Sequence, residues 1–132
     1  MHFTEQPKQL LERLMNHALD HFQIDNKSNS IVITYKDKEC QVFSESVEPI
    51  YEQAFEAYQR EARIYQEKVR KYEQVEQNYL LENGVTAEKL AHHQEQIKKY
   101  TPKDYSQWYK EVIIDIINDD KENFEKAIES IL

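Results

Sequence analysis

Two histidines and one cysteine are the residues whose types and spacing could support metal or nucleophilic chemistry. His17 and His21 are four residues apart, so on a helix they would share a face, as two zinc ligands do. A catalytic zinc site usually has three protein ligands, and the sequence marks no third one. Cys40 is the only cysteine, which excludes an intramolecular disulfide, and on an apolar strand it is typical of a small core residue. We therefore expect no catalytic residue, no metal and no cofactor.

The composition narrows the function classes further. The 132-residue chain has one glycine, Gly84, whereas phosphate-binding loops and nucleophile elbows usually need several. With 17 basic and 25 acidic residues, the formal net charge is −8, which disfavours nucleic acid or an anionic membrane as the partner and favours a basic protein. No apolar stretch is typical of a signal peptide or a transmembrane span, so we expect a cytoplasmic protein.

Acidic residues are concentrated near the C-terminal end. Residues 111–132 contain seven acids and two lysines, a local formal charge of −5. Several acids are three, four or seven residues apart, so a near-continuous helix would align them opposite its isoleucines. Such a line could imitate a phosphate backbone and bind a basic nucleic-acid-binding protein, or it could simply be a solvated face. The predicted partner-binding acids of this segment are Glu111, Asp115, Asp119, Asp120, Glu122 and Glu129.

A second candidate surface is a series of tyrosines in one long predicted helix, over 47–83. Tyrosines recur there every seven residues, and Phe55, Ala62 and Val69 each follow one by four residues. This is the pattern of a heptad seam. The seam could bind a second copy of the chain, giving a homodimer, or pack within the chain on the next helix. The predicted self-association seam consists of Tyr58, Tyr65, Tyr72 and Tyr79.

The N-terminal elements must hold these surfaces in place. Apolar residues spaced by three and four predict a first helix over 5–22. Period-two alternation predicts a β-hairpin over 30–44, with its loop from Lys36 to Glu39. Ser44 or Ser46 is expected to cap the long helix. An isolated hairpin is marginal in water, so we expect it to pack on helices.

Three further helices are predicted after the long one, over 87–100, 102–118 and 120–131. Thr101 and Pro102 suit the start of the second of these. Its apolar face is the strongest in the chain and predicts the core. We therefore expect a single domain of the α+β class, mainly α, in which a small antiparallel hairpin packs with about five helices. The predicted core face contains Trp108, Val112, Ile113, Ile116 and Ile117.

The hairpin and the start of the long helix also carry three short motifs. They are Asn29-Ser30-Ile31-Val32-Ile33, Val42-Phe43-Ser44-Glu45-Ser46 and Pro49-Ile50-Tyr51-Glu52-Gln53-Ala54-Phe55. Between residues 29 and 58, this pattern resembles the small acidic type II anti-CRISPR proteins of Gram-positive prophages. The resemblance implies a non-enzymatic inhibitor that offers acidic side chains to the basic DNA-reading groove of an RNA-guided nuclease in a bacterial host cell. On the matching positions it implicates Glu45, with Asp37 and Glu39 nearby.

The leading hypothesis is thus a non-enzymatic, acidic protein-binding protein of a phage or mobile element that inhibits a nucleic-acid-binding enzyme. Two alternatives remain open. One is a self-associating helical structural or adaptor protein, and the other is an antitoxin or immunity protein, which can also be small, acidic and helical.

Overall fold

A computed structural model describes residues 6–82, 87–99 and 103–132 of the chain. It is mainly helical with one small antiparallel sheet, which confirms the predicted α+β fold class. The chain divides into two compact units, one formed by residues 1–54 with 104–132 and the other by residues 55–103. The sheet belongs to the first unit, as does every buried hydrophobic side chain among the described residues.

The N-terminal segment forms two short helices and a strand, so the prediction of one helix over 5–22 was wrong. These elements are α1 (Pro7–Met15), α2 (Ala18–His21) and β1 (Phe22–Asp25). The chain turns at Asn16 and His17, where the His17 N–H donates to the Leu14 carbonyl oxygen at 3.0 Å. Because of this turn, α1 packs against the last helix of the unit while β1 joins the sheet. Tertiary packing therefore outweighs the continuous helical spacing.

The predicted hairpin is confirmed and forms part of a three-stranded sheet. Its strands are β2 (Ser30–Tyr35) and β3 (Lys38–Phe43), and β1 pairs antiparallel with β2 to give the order β1-β2-β3. The loop is shorter than predicted because β3 already begins at Lys38. Lys36 and Asp37 form the turn with φ of 46° and 63°, and two such residues suit the twist of an antiparallel pair.

Helices make up the rest of the chain. They are α3 (Val47–Glu82), α4 (Ala87–Lys99), α5 (Tyr105–Asp119) and α6 (Lys121–Ile128), followed by a 3-10 helix (Glu129–Ile131). Helix α5 begins later than predicted because Asp104 caps it, its carboxylate accepting the Gln107 N–H at 2.7 Å. The predicted starting residues Thr101 and Pro102 lie outside the described residues. None of the described helices has the length and apolar character needed to cross a membrane.

The core of the first unit lies between the sheet and helices α1, α5 and α6. The predicted apolar face of α5 is buried throughout, which confirms it as the core face. Trp108 joins this face to α3, since its indole N–H donates to the Ala54 carbonyl oxygen at 3.2 Å and its ring meets that of Tyr51 edge-on at 5.8 Å. On the sheet, Ile31 and Ile33 of the central strand are fully buried.

Both edges of the sheet are hydrogen-bonded by helical side chains. On β1, the Ile24 N–H donates to the Tyr109 hydroxyl of α5 at 2.8 Å. On β3, the Asn123 side chain of α6 donates to the Phe43 carbonyl oxygen at 2.8 Å. These bonds occupy strand groups that could otherwise pair with another chain. On the open face of the sheet, Gln23 and Thr34 are exposed.

Candidate partner-binding surface

The Ser-Glu-Ser segment before α3 is hydrogen-bonded to the two acids at the end of α5. Ser44 Oγ donates to Asp120 Oδ2 at 2.7 Å, and Ser46 Oγ donates to Asp119 Oδ2 at 2.6 Å. Asn123 Nδ2 also donates to Asp120 Oδ2, at 3.1 Å. Two of the predicted partner-binding acids thus hold the start of α3 against the α5–α6 junction.

Asn29 supplies the cap of α3 that was predicted for Ser44 or Ser46. Its Oδ1 accepts the Glu48 N–H at 2.9 Å, and its carbonyl oxygen accepts the Ser44 N–H at 2.8 Å. Asn29 has a φ of 52°, a left-handed conformation that asparagine adopts more readily than most residues. The turn before β2 is therefore tied directly to the N-terminus of α3.

Removal of the Ser44 hydroxyl is expected to destabilise the first unit. Ser44 is buried, and Ser44→Ala leaves the Asp120 carboxylate and the Ser46 N–H, which Ser44 Oγ accepts at 3.2 Å, without that partner. We expect the free energy of unfolding to fall by about 1–3 kcal/mol in urea denaturation. Ser28→Ala is the matched control, because Ser28 makes the same kind of bond to Asp25 at an exposed site. Equal losses in the two variants would contradict a structural role for the buried bond.

Other acids of the C-terminal segment are free at the surface. Asp115, Glu122 and Glu129 are exposed, and among the described residues no hydrogen bond or ion pair engages their carboxylates. The adjacent Lys121 pairs with Glu12 of α1 instead, at 3.6 Å. The local negative charge is therefore not neutralised by this lysine.

A groove of about 290 Å³ lies between α6 and the start of α1. It contains three carboxylates, including that of Glu125, which was not among the predicted binding acids. Two lysines also lie at its rim, so its charge is mixed. The lining residues are Gln6, Pro7, Lys8, Glu122, Glu125, Lys126 and Glu129.

The hairpin acids Asp37 and Glu39 line a separate groove of about 400 Å³ beside the β2–β3 turn. It continues into a second cavity of about 420 Å³ on the open face of the sheet, with Asp20, His21 and Glu39 lining both. Asp20 was not predicted as a site residue, because α1 and α2 were predicted as one helix over 5–22. The only sign of this role in the sequence was that Asp20 lies just before a segment in which apolar and polar residues alternate.

Lysines near this hairpin groove have contacts of their own. The Lys36 ammonium lies 5.2 Å from the centroid of the Tyr35 ring, and Lys38 Nζ donates to the Leu132 carbonyl oxygen at 3.3 Å. In the part of the chain that the structure describes, neither lysine forms an ion pair with a groove carboxylate. Both lysines line the hairpin groove together with Asp20, Asp37 and Glu39, so its charge is mixed, as in the groove beside α6.

Glu45 and Glu111 lie apart from both grooves. Glu45 is exposed within the Ser-Glu-Ser segment, whereas Glu111 is half-buried on α5 and has interactions of its own. The structure thus distributes the predicted acids over several places on the first unit.

The two histidines do not share one helical face. His17 precedes α2 with φ of −123° and ψ of 51°, a conformation that is not helical, and His21 is the last residue of that helix. His21 Nδ1 lies 2.9 Å from the Thr34 carbonyl oxygen. Across the described residues, no group of three or more His, Cys, Asp or Glu side chains is placed to hold a metal ion.

Cys40 lies on the helix-covered side of β3. Its Sγ is 3.7 Å from the Ala127 carbonyl oxygen of α6, and the side chain is half-buried. Burial raises the pKa of the Cys40 thiol; a hydrogen bond with Ser130 partly offsets this, and the charge of Glu39 adds to the rise. These surroundings disfavour the reactive thiolate.

We expect Cys40 to react slowly with iodoacetamide in the folded protein. At about pH 8 the rate should be lower than in the urea-unfolded chain, and it should rise at higher pH, because the raised pKa lowers the thiolate fraction. The measurement is the alkylation rate by mass spectrometry across a pH series. Reaction as fast as in the unfolded chain near neutral pH would mean that the thiol is activated.

The predicted tyrosine seam belongs to the second unit. Tyr58, Tyr65 and Tyr72 are half-buried along α3, while the side chain of Tyr79 lies outside the described residues.

Comparison with protein-family models, curated proteins and solved structures gives no significant match for this chain. Its function is therefore inferred from its own residues.

Proposed function

We propose that this chain is a non-enzymatic inhibitor that binds a basic, nucleic-acid-binding protein through carboxylates of its first unit. The observation that carries the proposal is the set of exposed acids on α5, α6 and the 3-10 helix, namely Asp115, Glu122 and Glu129, which have no partner among the described residues. Carboxylates arranged on a rigid surface attract arginine and lysine side chains and favour fast association.

The target proposed from the resemblance of residues 29–58 is an RNA-guided nuclease of type II. Such a nuclease holds nucleic acid in a positively charged channel and reads the adjacent duplex with arginines. The exposed carboxylates Asp37 and Glu39 of the hairpin groove and the α5–α6 acids are both candidates to bind groups of that kind. Binding there would exclude DNA by occupying the same basic groups.

Inhibition of DNA cleavage by a purified, guide-loaded type II nuclease tests this function. The protein is expected to reduce cleavage when it is added before the DNA, and less so when it is added after DNA is bound. Inhibition should weaken between about 50 and 200 mM salt, because the attraction is electrostatic. Unchanged cleavage at a large excess of the protein would contradict the proposed target.

A further inference from the structure

The cavity of about 420 Å³ on the open face of the sheet, here called the sheet-face cavity, has two carboxylates and no lysine or arginine among its described lining residues. Its acids are Asp20 and Glu39, both of which are exposed. No hydrogen bond or ion pair with a described residue engages either carboxylate. Lys36 and Lys38, which line the adjoining hairpin groove, have the other contacts given above. The charge of the sheet-face cavity is therefore complementary to a cation.

Thr34 brings the two acids to the same part of the sheet. Thr34 and Glu39 are cross-strand partners in β2 and β3, so their side chains stand next to each other on one face. The Thr34 carbonyl oxygen also lies 2.9 Å from His21 Nδ1, and the Thr34 hydroxyl donates to the His21 carbonyl oxygen at 3.5 Å. Asp20 directly precedes His21 in α2. The contacts of one strand residue thus position both carboxylates at the cavity.

The remaining walls suit a side chain with an apolar stem and a charged end. Leu19 and Val32 supply apolar surface to the cavity. Tyr109 forms another wall, and its hydroxyl accepts the Ile24 N–H at 2.8 Å while its ring stacks on that of Tyr105, with centroids 5.8 Å apart. Because these contacts already hold Tyr109 in place, a ligand does not have to order this wall when it binds.

We infer that the sheet-face cavity binds the guanidinium group of an arginine side chain from a basic partner protein. His21 Nδ1 faces a carbonyl oxygen and therefore carries a proton, which leaves Nε2 of the neutral ring as an acceptor beside the two carboxylates. A guanidinium is planar, carries five N–H donors and is more weakly hydrated than an ammonium, so it suits several acceptors spread around one cavity. The inference rests on the proposed function, because the arginine is taken to belong to the basic partner proposed above.

Titration of the isotope-labelled full chain with Nα-acetyl-arginine amide, followed by NMR, tests the cavity without the partner. The guanidinium is the only charge on this probe. We expect the largest amide chemical-shift changes at Gln23, Thr34 and Glu39, weaker binding of Nα-acetyl-lysine amide, and no binding of the uncharged Nα-acetyl-citrulline amide. Equal binding of the arginine and lysine probes, or shift changes spread over acids elsewhere on the chain, would overturn the proposal.

Neutral variants of similar shape test the two carboxylates. We expect Asp20→Asn and Glu39→Gln each to raise the dissociation constant for the arginine probe about threefold, and the double variant to raise it about tenfold. Glu52→Gln is the matched control, because Glu52 is exposed on the first unit and does not line the cavity. A double variant that binds the probe as tightly as this control would contradict the site.

The double variant also separates this site from the proposed function. It should bind the guide-loaded nuclease about tenfold more weakly than Glu52→Gln does, and equal binding would overturn the inference. A wild-type protein that inhibits the nuclease but does not bind the arginine probe would overturn the cavity site alone. A protein that binds the probe through Asp20 and Glu39 but does not inhibit the nuclease would overturn the proposed function and retain the arginine site.

Discussion

We expect Trp108→Ala to destabilise the first unit far more than any surface substitution does. Trp108 is only 6% exposed, and its loss removes the packing that joins α5 to α3 together with the bond from its indole N–H to Ala54. We expect the free energy of unfolding to fall by about 3–5 kcal/mol. Far-UV circular dichroism in urea is the suitable measurement, because Trp108 is the only tryptophan and its fluorescence disappears with the substitution.

Two further substitutions on α5 separate the sources of this loss. Trp108→Phe keeps most of the packing but removes the N–H donor. Loss of this hydrogen bond should lower the free energy of unfolding by about 1 kcal/mol, and the reduced packing should lower it by less than that. Tyr105→Ala removes an exposed ring whose centroid lies 5.4 Å from that of the Trp108 ring. It should lower the free energy of unfolding by less than Trp108→Ala does. A Trp108→Ala variant no less stable than Tyr105→Ala would contradict the proposed core.

The second large effect is expected on partner binding. Reversal of Asp115, Glu122 and Glu129 to lysine should raise the dissociation constant for the guide-loaded nuclease by about 100-fold at low salt, since three attractive charges become repulsive. The measurement is a titration by surface plasmon resonance or anisotropy. We expect the difference in dissociation constant between the variant and the wild type to become much smaller as salt is raised.

A control with the same change in net charge makes this test specific. Glu56, Glu67 and Glu88 are exposed residues of the second unit, and their reversal to lysine changes the charge equally without touching the first unit. The control should bind nearly as well as the wild type. Equal losses in both triple variants would show that net charge alone, and not the α5–α6 surface, governs binding.

Local patterns predicted most of the regular elements, but not strand β1, the division of the first helix or the exact ends of the others. The strong apolar face of α5 and the alternation of β2 and β3 depend on residue spacing, which the sequence shows directly. Residue spacing does not show the break at Asn16 and His17, because this break arises from the different packing partners of α1 and β1. The Asn29 cap likewise joins residues 19 positions apart, Asn29 and Glu48, and no local motif signals such a contact.

The acidic surface was predicted in composition but not in arrangement. The excess of carboxylates in α5 and α6 follows from counting, and Asp115, Glu122 and Glu129 are indeed exposed. Asp119 and Asp120 looked equivalent to them, yet they accept the serine hydroxyls of the segment before α3. Helical spacing places a residue on a face, but it does not show which distant loop covers that face.

Competition with DNA tests the proposed function most directly. A fluorescently labelled target duplex is bound to the guide-loaded, cleavage-inactive nuclease, and its anisotropy is followed as the wild-type protein, the Asp115, Glu122 and Glu129 reversal, or the matched control is added. The inhibitor proposal predicts that the wild type and the control release the DNA at low salt, whereas the α5–α6 reversal does not. Duplex that stays fully bound at saturating wild-type protein would contradict it.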